Sequence, residues 1–376
     1  MIKKNKILSG ALAVTAALCS AVFIYFYAAL PCNINAEKNA VPSGGFCSAV
    51  LKKTARSDFA FFIGNIPIKN AGISYKERPY VIPGGIPFGI KIRSEGVMVV
   101  SVEDGSPAKN AGIRPGDVIM SINGEKVTTN AEISEKIQDA PSGATVVFRR
   151  KDSEISVKLT PNENGGELKV GAWVRDSAAG IGTLTYYEPE SGAFGGLGHA
   201  VSDITTGEAV PLGAGEITHA QIYDIIRGKE GSAGELCGII LPNSDIGGIE
   251  ENRSSGVFGK LYEPLEGEAV PVAFRQEVQP GAATIITTLD DGCPKEYSIE
   301  IERINLLDLN GSKAMVIRIT DSELLEKTGG IVRGMSGSPI IQNGMLAGAV
   351  THVLVNDPTR GYAVFAETML EGNIDS

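Results

Sequence analysis

The sequence predicts a mainly β protein of two or more domains that begins with one apolar helix. Its 46 glycines and an aromatic content of 6% favour a turn-rich β fold over a helical bundle. A length of 376 residues with 43% hydrophobic side chains is enough for two or three domains with separate cores. The helix is indicated by an uncharged, mainly apolar run from Ile7 to about Leu30, which follows three lysines.

The apolar run defines a first region, residues 1–32. As a helix it is long enough to cross about 30 Å of hydrocarbon, and it exceeds a usual signal-peptide core of about 7–15 residues. Lys3, Lys4 and Lys6 precede it, which predicts a cytoplasmic N-terminus and export of everything downstream. We therefore expect an uncleaved transmembrane signal anchor. A cleaved signal peptide is the alternative.

Composition argues against two classes of function. The net charge of −10 is spread along the chain without a basic patch, which argues against nucleic-acid binding. The chain has three histidines and no Cys-x-x-Cys pair, so zinc binding is not expected. No metal or organic cofactor is expected. Cys237 and Cys293 would form a disulfide in an oxidising compartment or stay as buried thiols, and the sequence leaves both open.

Residues 33–78 show no strong period and are predicted to be a linker or juxtamembrane region. Within them, Phe59–Ile63 is apolar enough for one strand or a docking segment.

Residues 79–161 have the element order of a small domain with its own core. Gly96–Val102 is a predicted strand, and the segment Gly105–Ile119 contains a short helix that ends at glycine, followed by a turn and a strand. A second helix is predicted for Asn130–Gln138. The Gly-Ser-Pro-Ala-x-x-Ala-Gly-Ile-x-Pro-Gly-Asp-Val-Ile segment and the Ile122–Gly124 hairpin resemble a PDZ domain of the type associated with bacterial proteases.

PDZ domains bind peptide termini or extended segments by adding a strand to a sheet edge. The resemblance places the amide-bearing loop at Gly84–Gly89 and the neighbouring strand just after it. The alternative is a packing module whose groove is filled by its own chain. The peptide-binding residues expected from the resemblance are Gly85, Phe88, Gly89, Ile90, Ile92, Ile133 and Ile137.

Residues 162–376 form the remaining region, which is large enough for a pair of small β-barrels. Its predicted strands are separated by glycine-rich turns, and one helix is predicted for Ala220–Arg227. The predicted strands are Gly180–Tyr187, Ala282–Leu289, Glu296–Ile304, Ala314–Ile319 and Met345–Val355.

The stretch from Gly334 to Pro339, Gly-Met-Ser-Gly-Ser-Pro, is the strongest chemical signal in the chain. Glycine leaves backbone N–H groups unobstructed and tolerates positive φ, and proline fixes the exit of the turn. Acyl transfer needs a protruding hydroxyl beside amides that hold a developing oxyanion. The pattern resembles the Gly-Asp-Ser-Gly-Gly-Pro of trypsin-like proteases, with Met335 in place of aspartate.

A serine becomes a good nucleophile only when a base accepts its proton. The three histidines are His199, His219 and His352. His199 lies in a glycine-rich turn, Gly-Gly-Leu-Gly-His-Ala, that would leave its imidazole free to face a cleft. His219 looks like a residue at the edge of a regular element. His199 is therefore the preferred base.

Gly198-His199-Ala200, followed far downstream by Thr-Gly-Gly-Ile-Val-Arg-Gly-Met-Ser-Gly-Ser-Pro over Thr328–Pro339, resembles the stage IV sporulation protein B family of spore-forming bacteria. The resemblance implies an exported, membrane-anchored serine peptidase in the space between the forespore membranes. Such peptidases cleave a membrane-bound regulator of an intramembrane protease, which leads to processing of a sigma factor precursor. They also cleave themselves.

Carried over from the family, the resemblance makes Ser336 the nucleophile and His199 the general base. Ser338 is a competing nucleophile that is disfavoured by the proline after it. By analogy with the trypsin-like turn, the N–H groups of Gly334 and Ser336 would form the oxyanion hole.

The third member of a catalytic triad is less defined, because the acid has no fixed spacing in sequence. The family pattern points to Asp321. Trypsin-like folds usually carry the acid between the histidine and the serine turn, well before the latter, which makes Asp245 a rival and Asp203 a weaker one. A solvated surface carboxylate is the alternative for each.

In trypsin-like enzymes, the strand after the nucleophile turn pairs with substrate. Here that strand would be Gly348–Val353, and Gly361–Ala363 would form a wall of the specificity pocket. His352 would then lie near the cleft or in the core.

The sequence thus predicts a PDZ domain fused to a trypsin-like double-barrel serine endopeptidase with protein or peptide substrates. A non-catalytic PDZ scaffold at the membrane is the alternative.

Overall fold

The N-terminal apolar run forms a helix, α1 (Ile2–Ala29), in a computed structural model that describes residues 2–46, 48–54, 58–289 and 292–371. Large apolar side chains such as Leu12, Leu18 and Ile24 are exposed on it. No helix in these described ranges combines the length and the apolar composition of a membrane span. The structure therefore does not support the predicted transmembrane helix.

The described parts of residues 33–76 contain a five-stranded sheet, so the prediction of a linker for residues 33–78 is wrong. Five strands pair in the order β1-β5-β4-β3-β2, and the predicted strand Phe59–Ile63 is confirmed as β4. Phe46 and Phe61 are fully buried, with ring centroids 5.9 Å apart, and pack into the core of the second barrel described below. The strands are β1 (Asn33–Glu37), β2 (Gly45–Phe46), β3 (Ala49–Lys53), β4 (Phe59–Ile63) and β5 (Ile66–Lys76).

The PDZ-like domain is inserted into a β-barrel instead of preceding it. One long strand, β7, leaves the barrel and enters the domain, and the chain returns through a second long strand, β14. The predicted helix Asn130–Gln138 is confirmed, with a capping box between Thr129 and Glu132. The elements are β6 (Tyr80–Pro83), β7 (Pro87–Val102), α2 (Pro107–Asn110), β8 (Val118–Ile122), β9 (Glu125–Lys126), α3 (Asn130–Gln138), β10 (Ala144–Arg150), β11 (Ser153–Leu159), β12 (Asn162–Asn164), β13 (Glu167–Lys169) and β14 (Ala172–Tyr187).

The first barrel contains six strands. They pair in the order β7-β16-β17-β18-β15-β14, and the pairing of β14 with β7 closes the ring. The prediction of a helix for Ala220–Arg227 is wrong. Nearly all of this segment lies in strand β16, which pairs with β17 as far as Ile226. The strands new to this barrel are β15 (Ala193–Gly196), β16 (Leu212–Ile226), β17 (Glu235–Arg253) and β18 (Gly256–Leu261).

The second barrel closes in the order β20-β21-β22-β25-β24-β23, and the five strands predicted for residues 162–376 are all found in one barrel or the other. Its core includes Ile285, Ile299 and Ile317, all buried. Cys237, for which the sequence leaves a disulfide open, is a free thiol. The elements are β19 (Val270–Pro271), β20 (Gly281–Thr288), β21 (Pro294–Ile304), β22 (Met315–Ile319), α4 (Ser322–Thr328), β23 (Pro339–Gln342), β24 (Met345–Val353), β25 (Arg360–Phe365) and α5 (Ala366–Leu370).

Candidate active site

The turn that carries Ser336 lies between α4 and β23 and depends on two glycines. Gly334 has φ = 95° and Gly337 has φ = 96°, in the region that other residues rarely adopt. A Cβ at Gly337 would lie 1.9 Å from the carbonyl oxygen of Thr183 and 2.5 Å from the amide nitrogen of Leu197. Glycine is therefore required for the turn to contact the first barrel.

Two buried threonines on β14 hold this turn. Thr183 donates its N–H to the Ser336 carbonyl oxygen at 2.9 Å and its hydroxyl to the Gly334 carbonyl oxygen at 2.8 Å. Thr185 donates its hydroxyl to the Gly337 carbonyl oxygen at 2.7 Å. The sequence analysis missed both residues. Their alternation on one face, within the otherwise mainly apolar segment Gly180–Tyr187, is the signal that marks them, because a buried hydroxyl needs a partner.

Ser336 is half-buried, and its Oγ–H donates to the Thr351 carbonyl oxygen at 2.7 Å. Ser338 is fully buried, and its Oγ has no hydrogen-bond partner among the described residues. A reacting group has to be reachable by substrate, so the structure favours Ser336 over Ser338 as the nucleophile.

The loop that carries His199 leaves β15 and packs directly against the serine turn. Leu197, with φ = 65°, contacts Gly337, and a Cβ at Gly198 would lie 2.9 Å from Thr351 Cγ2. His199 Nδ1 lies 2.8 Å from the Ala200 carbonyl oxygen. Because that oxygen only accepts, Nδ1 carries the proton and Nε2 is left as the basic nitrogen. The two distant loops predicted to meet thus lie side by side.

His352 lies next to His199, with ring centroids 4.8 Å apart and planes tilted by 35°. Burial, together with the nearby His199 and Lys313, lowers the pKa of His352 to about 4. Burial also lowers the pKa of His199, opposed in part by the hydrogen bond to Ala200. Both imidazoles are therefore neutral at pH 7, which is the state that a general base requires. The buried Nδ1 of His352 has no partner among the described residues.

The predicted acid Asp321 is the N-cap of α4. Its carboxylate accepts hydrogen bonds from the N–H groups of Glu323 and Leu324 at 3.0 and 3.1 Å, and from Ser298 N–H at 3.3 Å. Within the described ranges, no carboxylate is hydrogen-bonded to the His199 imidazole. The structure therefore does not bring Asp321 together with His199, and its role as third member of a triad stays a prediction.

The two rival acids also have other partners. Asp245 lies 3.7 Å from Lys91 Nζ, on the first barrel. Asp203 is buried and pairs with Arg175. Burial raises the pKa of Asp203, but the amides of Thr206 and Thr205 and the Arg175 charge outweigh it and lower the pKa overall.

The third histidine, His219, is exposed on β16, opposite Phe88.

The amides predicted for the oxyanion hole have no competing acceptor among the described residues: the N–H groups of Gly334 and Ser336 donate to none of them. Beside them, β24 includes the predicted substrate strand, and Thr351 presents its carbonyl oxygen to Ser336. Tyr362 belongs to the predicted pocket wall. It lies on β25 and pairs with His352 on β24.

The prediction of a peptide-binding strand after Gly84–Gly89 is wrong, because this strand belongs to the first barrel and not to the PDZ-like domain. Phe88, Ile90 and Ile92 are 1–2% exposed and point into the first barrel. Gly89 lies on the same strand, where a Cβ would meet Thr218 at 2.6 Å, and Gly85 accepts a hydrogen bond from Thr288 of the second barrel at 2.8 Å. An alternating apolar pattern identifies a strand with one buried face, but it does not say which sheet takes that strand.

The strand beside α3 is instead the first part of β14. It pairs with the PDZ half of β7, from Ala172 opposite Val102 to Arg175 opposite Met98. Leu168 and Val174 pack against the PDZ core, and Gln138 exchanges two hydrogen bonds with the Leu168 backbone. The remaining two predicted residues of the peptide site are core residues of α3: Ile133 and Ile137, 6% and 4% exposed.

Comparison with known proteins finds similarity to serine proteases and to a PDZ domain. The chain is 34% identical over 70 residues to serine protease HTRA1 of Xenopus tropicalis (19% of this chain, 15% of that protein). It is 29% identical over 156 residues to a probable periplasmic serine endoprotease DegP-like of Brucella suis (39% and 30%). The chain thus spans less than a third of the length of these two relatives.

Among solved structures, the chain resembles the Rv3671c protease of M. tuberculosis in its active form, with 13% identity and a TM-score of 0.30 over 52% of this chain and 72% of that one. It also resembles the PDZ domain of the SdrC-like protein of Listeria monocytogenes, with 24% identity and a TM-score of 0.20 (21% and 87%). Family models match a PDZ domain over residues 98–150 and the SpoIVB peptidase S55 over residues 166–370. The second match covers more than half of the chain, which therefore belongs to the SpoIVB peptidase S55 family.

Proposed function

We propose that this chain is a serine endopeptidase in which His199 deprotonates Ser336. The observation that carries the proposal is the contact between the two loops, with Leu197 against Gly337 and Gly198 against Thr351. Two further observations support it: His199 is neutral at pH 7, and the N–H groups of Gly334 and Ser336 donate to no acceptor among the described residues. Its substrates are proteins or peptides, in keeping with the family match.

In the proposed reaction, Ser336 Oγ attacks a peptide carbonyl carbon while its proton passes to His199 Nε2. The N–H groups of Gly334 and Ser336 bind the resulting oxyanion. The C–N bond breaks as His199 returns the proton to the leaving amine, which gives an acyl-enzyme that water hydrolyses by the same steps.

The conformation described here is a resting one, because the Ser336 hydroxyl is hydrogen-bonded to the Thr351 carbonyl oxygen. If substrate pairs with β24 as predicted, a substrate N–H can donate to the Thr351 carbonyl oxygen in place of Ser336. The Ser336 hydroxyl is then free to turn towards His199.

Cleavage of unfolded casein and of the chain itself tests the proposal. We expect Ser336→Ala and His199→Ala to abolish cleavage, with residual rates about 10³–10⁶-fold lower. Ser338→Ala is the matched control, because it removes a buried hydroxyl that has no partner among the described residues. It should cleave at the wild-type rate. A folded wild-type protein that cleaves neither substrate would favour the alternative, a non-catalytic PDZ scaffold.

The biological role is part of the same proposal. The family match supports a signalling peptidase of sporulation that cleaves a membrane-bound regulator of an intramembrane protease. Replacing the resident homologue in a spore-forming host by this chain, with or without Ser336→Ala, tests it. We expect processing of the sigma factor precursor only with the active chain. Processing with both chains would refute this role.

We also propose that the two barrels and the PDZ-like domain work outside the cytoplasm. Support comes from the lysines that precede the apolar run Ile7–Leu30. Protease added to intact protoplasts should degrade the chain. Full protection, with degradation after lysis, would contradict export.

A further inference from the structure

Strand β14 joins the PDZ-like domain to the catalytic turn, and one of its two edges is open. Along one edge it pairs with β7 from Ala172 to Thr183. On the other edge, β15 pairs with it only from Leu184 onward, while β6 continues the edge that β7 occupies. Within the described residues, the second edge from Ala172 to Gly182 therefore has no strand partner. Unpaired edges are where extended chains add to a sheet.

The two ends of this open edge lie at two different sites. At one end, Thr183 donates its N–H to the Ser336 carbonyl oxygen at 2.9 Å. At the other end, the edge runs beside α3, and Gln138 of α3 is hydrogen-bonded to the backbone of Leu168 on β13, the strand that leads into β14. A single strand thus leads from the nucleophile to the PDZ groove.

Little stands in the way of an added strand. Between the two ends, the sequence from Ser177 to Gly182 consists of small residues and one isoleucine, and Ser177, Ala179 and Gly180 are exposed. Asp176 accepts a hydrogen bond from the N–H of Asn130 on α3 at 3.0 Å, and this contact crosses the edge. Because it is exposed, an incoming backbone can displace it at small cost.

We propose that the open edge of β14 binds the part of the substrate that follows the cleaved bond, as one extended strand that reaches the groove beside α3. This inference rests on the proposed peptidase function. Since β14 runs towards Ser336, a substrate chain that leaves Ser336 along it runs antiparallel to it. From Thr183 to Ala172 there are eleven steps of about 3.3 Å, or about 36 Å, so the edge takes about 10–12 substrate residues.

Synthetic peptides that span a casein bond cleaved by the wild-type protein test the inference. They would carry about four, eight, twelve or sixteen residues after that bond. We expect kcat/KM to rise about tenfold or more up to about twelve residues and then to level off. N-methylation of the substrate backbone should cancel the gain at alternate positions only, because strand hydrogen bonds alternate.

The Asp176→Ala variant provides a test on the protein. It should lower KM for the twelve-residue peptide and leave the four-residue peptide unchanged. A kcat/KM that is independent of length beyond four residues, or insensitive to N-methylation, would overturn the inference. Since the shortest peptide needs only the reaction centre, its cleavage in the same assay keeps the proposed function standing. A failure to cleave any peptide would count against the peptidase itself.

Discussion

Replacing Thr183 by valine separates the role of β14 in holding the serine turn from ordinary packing. The change keeps the shape of the side chain and removes the hydroxyl that donates to the Gly334 carbonyl oxygen at 2.8 Å. Thr183 is 2% exposed, so its hydroxyl is held away from solvent and the valine methyl group leaves that carbonyl without this donor. We expect the free energy of unfolding to fall by about 1–3 kcal/mol, the cost of an unsatisfied buried polar group.

The effect on activity follows from the position of Gly334. Its N–H is a proposed oxyanion donor, and loss of one such donor costs about 10²–10³-fold in kcat. A shift of the turn should cost less, so we expect kcat/KM to fall about 10–100-fold.

Thr287→Val is the matched control for Thr183→Val. Thr287 is fully buried on β20, and its hydroxyl has no hydrogen-bond partner among the described residues. The same substitution should therefore leave stability unchanged or raise it. Urea denaturation and peptide cleavage assays measure both quantities. Equal losses in the two variants, or full activity in a destabilised Thr183→Val protein, would refute the reasoning.

Three further predictions concern the cap, the second histidine and the glycine of the turn. Asp321→Asn should keep the cap of α4 and most of the activity, whereas Asp321→Ala should cost about 1 kcal/mol in urea denaturation; an inactive but stable Asp321→Asn would instead make Asp321 the triad acid. The pKa of His352 falls from 6.5 in the unfolded chain to about 4 on folding, so its neutral form favours folding above pH 6.5, and this contribution is lost as pH falls towards 4. The free energy of unfolding should fall between pH 6.5 and pH 4, and in His352→Phe this fall should be smaller by about 2–3 kcal/mol, a value reduced for the partial exposure of His352. An unchanged pH profile in urea denaturation would contradict this. Gly337→Ala should abolish cleavage because its Cβ would meet the Thr183 carbonyl oxygen, while Gly344→Ala, with φ = 74° and open space around it, should cost only about 1–2 kcal/mol and stay active. Equal activity of the two glycine variants would contradict the required contact.

The sequence was sufficient where a signal is local. The helix Asn130–Gln138 follows from Ile133 and Ile137 one turn apart, and the structure has it with those bounds. The turn around Ser336 follows from its glycines, because positive φ leaves few other choices.

The sequence was insufficient where residues far along the chain determine which sheet a strand joins, or whether a segment forms a helix or a strand. Phe88, Ile90 and Ile92 have the pattern of any half-buried strand, and only pairing with β14 and β16 puts them in the first barrel. The isoleucines of Ala220–Arg227 are compatible with helical spacing, yet β17 pairs with them as a strand. The insertion of the PDZ-like domain could not be predicted either, since no local signal marks a strand shared by two domains.

The surroundings of the base His199 could not be predicted from the sequence either. Nothing local connects His352 to His199, and their contact depends on how the two barrels pack. The sequence analysis took Asp321 from the family pattern and did not consider the helix cap that the structure shows there.

Locating the residue that a fluorophosphonate modifies tests the central claim most directly. Such a reagent reacts with a serine only when a base and an oxyanion site activate it. Mass spectrometry of the digested protein should place the adduct on Ser336 in the wild type and in Ser338→Ala, with no adduct in His199→Ala. An adduct on another serine, or none on a folded wild-type protein, would contradict the assignment of Ser336 and His199 as the reacting pair.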